Sequence, residues 1–386
     1  MMDSLQIFFH PLSQFSVPDK GLALQIKPHD VAFPDTETAA IALIFVPEYR
    51  GERSGEESLH SEASLDISLN AIRKYLYGFS ALSGRPAIVD MGNLRIGDTL
   101  TDTYQRLREV CQCLIQQNTL PVIIGGSHDL DYAQFWAYQD TGKIIHLLAV
   151  DAKIDLTDED IPTNKHLYDI LSHHPNFLFE YAHIGYQRHL TDFDAVQILD
   201  NLNFEVKSVG DFRNNLTEIE PLLRAADMLS FDLNAIRKAE MPLSAYPFGL
   251  TGEEACLISR YAGLNEKLTS IGFYGYKPLA DTDETGAQVL ATMIWYFLEG
   301  FCHRTAEYSF MSNFHIKYNV TVPALRQDIV FYKSKLSEKW WMEVGLANKQ
   351  TPFQRNMVIP CSYNDYQIAV QGKVPDRWLK ALDKLV

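Results

Sequence analysis

The chain has 386 residues, of which 46% are hydrophobic and 22% charged, a globular composition with ample apolar material for a core. Its net charge of −15 argues against nucleic acid or an anionic membrane as the main partner. Five cysteines without a CxxC pair read as reduced thiols, the N-terminal stretch has no basic region leading into an apolar one, and no apolar run is long enough to span a bilayer, so the expected location is cytoplasmic.

Apolar runs suited to buried strands lie at 40–46, 87–91, 121–125, 144–151, 181–186, 204–209, 228–232 and 270–274. Amphipathic stretches at 103–117 and 251–264 fall between them, the second opened by Thr251 with Glu253 and Glu254 in its first turn. The alternation predicts an α/β fold: a doubly wound, mostly parallel eight-stranded sheet with helices on both faces. The polar segment 50–62 reads as a loop. After about residue 304 the pattern changes to short strands near 328–332, 340–344, 357–360 and 367–370, then a helix near 375–385. The expected organisation is therefore one α/β domain over 1–303 and a small α+β extension over 304–386. The aromatic residues Trp340, Trp341 and Trp378 read as packing of that extension.

Ligands of such sheets gather at the carboxyl ends of the strands. Three predicted strands end in residues with chemistry. The first runs into Gly125-Gly126-Ser127-His128-Asp129, where two glycines permit a sharp turn at the sheet edge. The second runs into Asp151-Ala152-Lys153-Ile154-Asp155, which an extended backbone would present with Asp151, Lys153 and Asp155 on one face. The third closes on Ser230-Phe231-Asp232-Leu233-Asn234. Carboxylates held this close call for a cation beside them. Each segment alone is a weak signal, since a strand-end Asp is often a cap.

Together, the order GG-x-H, D-A-x-x-D and S-F-D-x-x resembles the ureohydrolases, the family of arginases, agmatinases and formimidoylglutamases. Pro247-Phe248-Gly249-Leu250-Thr251 and His183-Ile184-Gly185-Tyr186-Gln187 add to the likeness, which points to a divergent formimidoylglutamase-like member over roughly 35–303. The resemblance implies an arginase-like fold, manganese, and hydrolysis of a small amidine or guanidino compound. It implies His128, Asp151, Asp155 and Asp232 as ligands of one Mn2+ ion. The second metal of the family needs a histidine and an aspartate where this chain has Lys153 and Asn234, and a protonated lysine cannot ligate. The family's glutamate that contacts the substrate falls at Gly275. Asp155 and His166 are the catalytic candidates, His166 for proton transfer from a substrate-facing loop.

Two readings follow. One is a divergent C–N hydrolase with one metal site retained and the second degraded, Lys153 standing in for the missing charge. The other is an inactive, metal-free member of the fold, with Lys153 in an ion-pair network, acting by ligand binding or assembly. The resemblance also implies a homo-oligomer unless the extension displaces those contacts. A nucleotide-binding role is disfavoured, because no GxGxxG or P-loop lysine follows a predicted strand.

Overall fold

Strand β3 (Ile41–Phe45) shows how the sequence builds the main sheet: Ile41, Leu43 and Phe45 enter one apolar cluster, and Ala42 and Ile44 enter another. Alternate side chains thus feed cores on opposite faces, so the strand is apolar throughout. The computed structural model describes residues 5–52, 68–305, 307, 313–325, 327–345 and 357–385, and most of the expected 50–62 loop lies outside them.

All eight expected strands are present: β3, β4 (Ile88–Leu94), β5 (Leu120–Ile124), β6 (Ile145–Val150), β7 (Leu178–Tyr186), β8 (Glu205–Ser208), β9 (Met228–Asp232) and β10 (Ser270–Tyr274). Two further short strands, β1 (Phe9–His10) and β2 (Ile26–Pro28), pair with β4, so the sheet has ten strands rather than eight. The order is β1-β4-β3-β5-β10-β9-β6-β7-β8, and only β1 runs antiparallel to its neighbour.

Helices cover both faces. One carries α1 (Asn70–Gly78), α6 (Val209–Asn214), α7 (Leu216–Ala225), α8 (Gly252–Leu264) and α9 (Thr285–Cys302). The other carries α2 (Leu100–Gln116), α3 (Leu130–Trp136), α4 (Pro162–Leu171) and α5 (Phe193–Asn201). Helices α2 and α8 start as their sequences dictate, with Thr99–Asp102 and Thr251–Glu254 capping boxes.

Beyond α9 the chain forms a four-stranded antiparallel sheet, β11 (His315–Val320), β12 (Ile329–Ser334), β13 (Trp340–Val344) and β14 (Met357–Cys361), in sequential order. The expected strand at 367–370 is instead the end of helix α10 (Tyr363–Val370), which Ser362 and Asp365 open with a capping box. Helix α11 (Asp376–Asp383) follows, and Trp340, Trp341 and Trp378 are buried. Arg224 of α7 docks this segment: its guanidinium donates to the carbonyls of Trp340 (3.0 Å) and Cys361 (3.3 Å) and lies over the Trp341 ring. Lys380 and Lys384 pair with Glu205 of β8 and Glu180 of β7. Among the described residues, no helix is long and apolar enough to cross a membrane.

Candidate metal centre

The carboxyl ends of β5, β10, β9 and β6, four adjacent central strands, open into one cavity of about 200 Å³. Its lining includes His128, Asp151, Lys153, Asp155, Asp232, Asn234 and Gly275, so the three strand-end motifs meet as the sequence suggested. Thr163, Asn164 and Tyr246 complete the wall, and a Lys277–Glu52 ion pair at 3.0 Å borders it.

Local backbone sets each group. After β5, Gly126 has φ of +79°, a conformation that favours glycine, and this turn brings His128 inward. After β6, the chain bends at Ala152 and Lys153 instead of staying extended. The Asp151 carbonyl accepts from His183 Nε2 at 3.1 Å, and the Ala152 carbonyl accepts from the Gln187 amide at 2.8 Å. His183 is buried, which pushes its imidazole down to about 4, so it is a neutral clamp. After β9, Asp232 caps a short 3₁₀ turn.

Side-chain atoms of His128, Asp151 and Asp232 lie within 4.8 Å of one another. His128 Nδ1 stands 3.4 Å from Asp151 Oδ2 and 3.7 Å from Asp232 Oδ2, and it makes no hydrogen bond among the described residues. A buried imidazole nitrogen without a partner, facing two carboxylates, fits one divalent cation. Asp155 sits apart from that trio, with His166 Nε2 3.6 Å from its Oδ2 and Lys153 Nζ 4.0 Å from its Oδ1.

The charges fit the crowding. Burial, then Asp232 and Asp155, raise the Asp151 carboxyl well above the usual range. Burial works the same way on Asp155, but His166, Asp151 and His128 outweigh it and hold that carboxyl at about 2. Burial and His166 push the His128 imidazolium down, yet Asp151, Asp131 and Asp232 prevail and raise it to about 9. Burial also lowers Lys153, but Asp155, Tyr246 and Asp151 raise it overall, so its ammonium stays charged. Lys153 supplies a positive charge beside these groups, and the Asn234 amide donates to both Asp232 oxygens. At Gly275, φ is +81° and a Cβ would meet Asp232 Oδ1 at 2.4 Å, so no longer side chain reaches the cavity from that backbone.

His166 does not line the cavity; it is buried on α4. Sequence reasoning missed Asp131, a fully buried carboxylate that accepts from His166 Nδ1 at 2.7 Å and from Ser230 Oγ at 3.0 Å. Its signal was its spacing, one helical turn after His128. Tyr246 was missed as well, and nothing around it in the sequence marks it.

Residues 50–299 match the arginase family. The chain belongs to that family. Among its relatives, the formimidoylglutamase of Klebsiella pneumoniae is 25% identical over 244 residues, which cover 58% of this chain and 75% of its own. That of Staphylococcus haemolyticus is 26% identical over 237 residues, 56% of this chain and 73% of its own. The crystal structure of a Trypanosoma cruzi formiminoglutamase with Mn2+ superposes with a TM-score of 0.64 at 17% identity, covering 75% of this chain and 100% of that one. Bacillus subtilis formimidoylglutamase gives 0.63 at 19% identity, covering 78% and 98%. At these identities the superpositions establish the shared arginase fold. The family member at hand resembles formimidoylglutamases.

Proposed function

We propose that this arginase-family protein is a divergent hydrolase of linear amidine or guanidino C–N bonds, working with one Mn2+ ion held by His128, Asp151, Asp155 and Asp232. The observation that carries this reading is the unpartnered His128 Nδ1 facing Asp151 and Asp232. A bound divalent cation supplies Lewis acidity, activating water and polarising the carbon under attack. Asp155, low in pKa, is ionised and can accept a hydrogen bond from a water at the cation. The Lys153 ammonium supplies fixed positive charge where the resemblance puts a second metal. It also repels a cationic guanidinium, so a neutral amidine or a substrate with an anionic end suits the cavity better. Thr163 and Asn164 offer hydrogen bonds at its wall. On this reading residues 1–303 form the reacting domain, 304–386 an extension docked on it, and the protein works in the cytoplasm as a homo-oligomer.

A second reading rests on Lys153 and Asn234. Both place donors on the acidic cluster, as a metal-free, inactive protein would need. The two readings separate in one experiment: metal analysis of the purified protein, with formiminoglutamate, arginine and agmatine supplied alongside added manganese. About one equivalent of retained manganese, with formamide or urea released, supports the hydrolase. No manganese after dialysis against it, and no product, leaves the inactive reading.

A further inference from the structure

Two buried nitrogens face the acidic cluster, and only one of them has a role so far. His128 and His166 are 4% and 5% exposed, and their ring centroids are 4.3 Å apart. Neither His128 Nδ1 nor His166 Nε2 has a hydrogen-bond partner among the described residues.

Their tautomers are set from behind. His166 Nδ1–H donates to Asp131 Oδ1 at 2.7 Å. The single hydroxyl proton of Ser230 goes to Asp131 Oδ2 at 3.0 Å, so the Ser230 oxygen accepts from His128 Nε2–H at 2.9 Å. One carboxylate therefore pins both imidazoles, one directly and one through a hydroxyl. The outer nitrogens are donors, so each inner nitrogen is a lone pair in the neutral ring and a second N–H in the imidazolium, the form the surrounding carboxylates favour while no cation is bound. These face oxygens: His128 Nδ1 faces Asp151 and Asp232, and His166 Nε2 faces Asp155 Oδ2 at 3.6 Å. A lone pair against a carboxylate repels unless a cation or a further proton lies between them. An imidazole held by a carboxylate at one nitrogen, with the other turned to acidic oxygens, is the arrangement of a metal-bound histidine.

We propose that His166 Nε2 ligates the same cation as His128 Nδ1, giving a site of two imidazoles with Asp151, Asp155 and Asp232. The proposal rests on the one-cation reading and gives His166 a ligand's role in place of proton transfer. The nitrogen donor absent at Lys153 is then supplied from α4, and the cation sits toward Asp155. Asp131 is a positioning residue for both histidines. A mixed nitrogen and carboxylate set favours manganese, iron, cobalt or zinc over magnesium or calcium.

The test uses the full chain and Mn2+ alone, with calorimetry for affinity and pulsed electron paramagnetic resonance to count ¹⁴N couplings from bound imidazoles. The expected result is one equivalent with two imidazole couplings, falling to one coupling in His166→Gln. Asp131→Asn should keep both couplings and weaken affinity about 10–100-fold. One coupling in the unsubstituted protein, with His166→Gln unchanged in affinity, overturns this inference and leaves the one-cation reading standing. Absence of Mn2+ binding by the unsubstituted protein overturns both. Because the coupling count of the unsubstituted protein decides by itself, a His166→Gln variant that fails to fold does not blunt the test.

Discussion

Asn234 holds its amide nitrogen 3.2 Å from each carboxylate oxygen of Asp232. On the proposed reading, that amide and the Lys153 ammonium stand where the resemblance would have the ligands of a second cation. Changing both residues, Lys153→His with Asn234→Asp, removes one positive charge and adds a carboxylate and an imidazole. The expected outcome is a second Mn2+ site in calorimetric titration. A titration still saturating at one ion or fewer would count against the proposed degradation of this site.

Cation binding to the native state should also stabilise it. At manganese concentrations about 100 times Kd, linkage predicts roughly 2.7 kcal/mol of added stability, read as a rise in Tm over chelator-treated protein. Asp232→Ala removes an oxygen ligand and should abolish the rise. A Tm indifferent to manganese would contradict the one-cation reading.

Arg224 predicts how the C-terminal segment detaches. Arg224→Ala removes two charge-assisted hydrogen bonds, to the carbonyls of Trp340 and Cys361, and uncovers the Trp341 ring. A hydrogen bond from a charged group contributes about 1.5–3 kcal/mol, so the variant should lose roughly 3 kcal/mol in urea unfolding. Limited proteolysis should then cut after residue 303 before cutting the main sheet. Equal protection of both regions would rule out this docking role.

Glu205 gives the same contact an acid sensitivity. Burial would raise its carboxyl, but Lys207 and Lys380 outweigh that and hold it at about 2, below the ordinary 4.5. A depressed carboxyl contributes stability that is full above about pH 4.5 and is lost as pH falls toward 2. The contribution is at most roughly 3 kcal/mol. Glu205→Gln should flatten the melting-temperature profile between pH 5 and 3 relative to the unsubstituted protein; parallel profiles would refute the assignment.

Much of this was legible in the residues. Continuous apolar runs such as 228–232 and 270–274 mark strands buried on both faces, and β9 and β10 coincide with them. Strands β1 and β2 were not legible, because two or three residues carry no periodicity. Ile368-Ala369-Val370 looks like a strand only when the Ser362–Asp365 capping box, six residues upstream, is overlooked. His128, Asp151, Asp155 and Asp232 were readable as neighbours because all four follow strand ends that open into one cavity. Asp131 was not, because its role depends on Ser230 and His166 converging from two other elements.

The tight fit of Gly275 against Asp232 closes this position to a simple substitution. A change to glutamate would need a left-handed φ that a side-chain-bearing residue seldom takes, and its first carbon would collide with the Asp232 carboxylate. Engineering amidine recognition here therefore calls for a rebuilt turn after β10, or a carboxylate brought in from the opposite wall, where Thr163 and Asn164 stand.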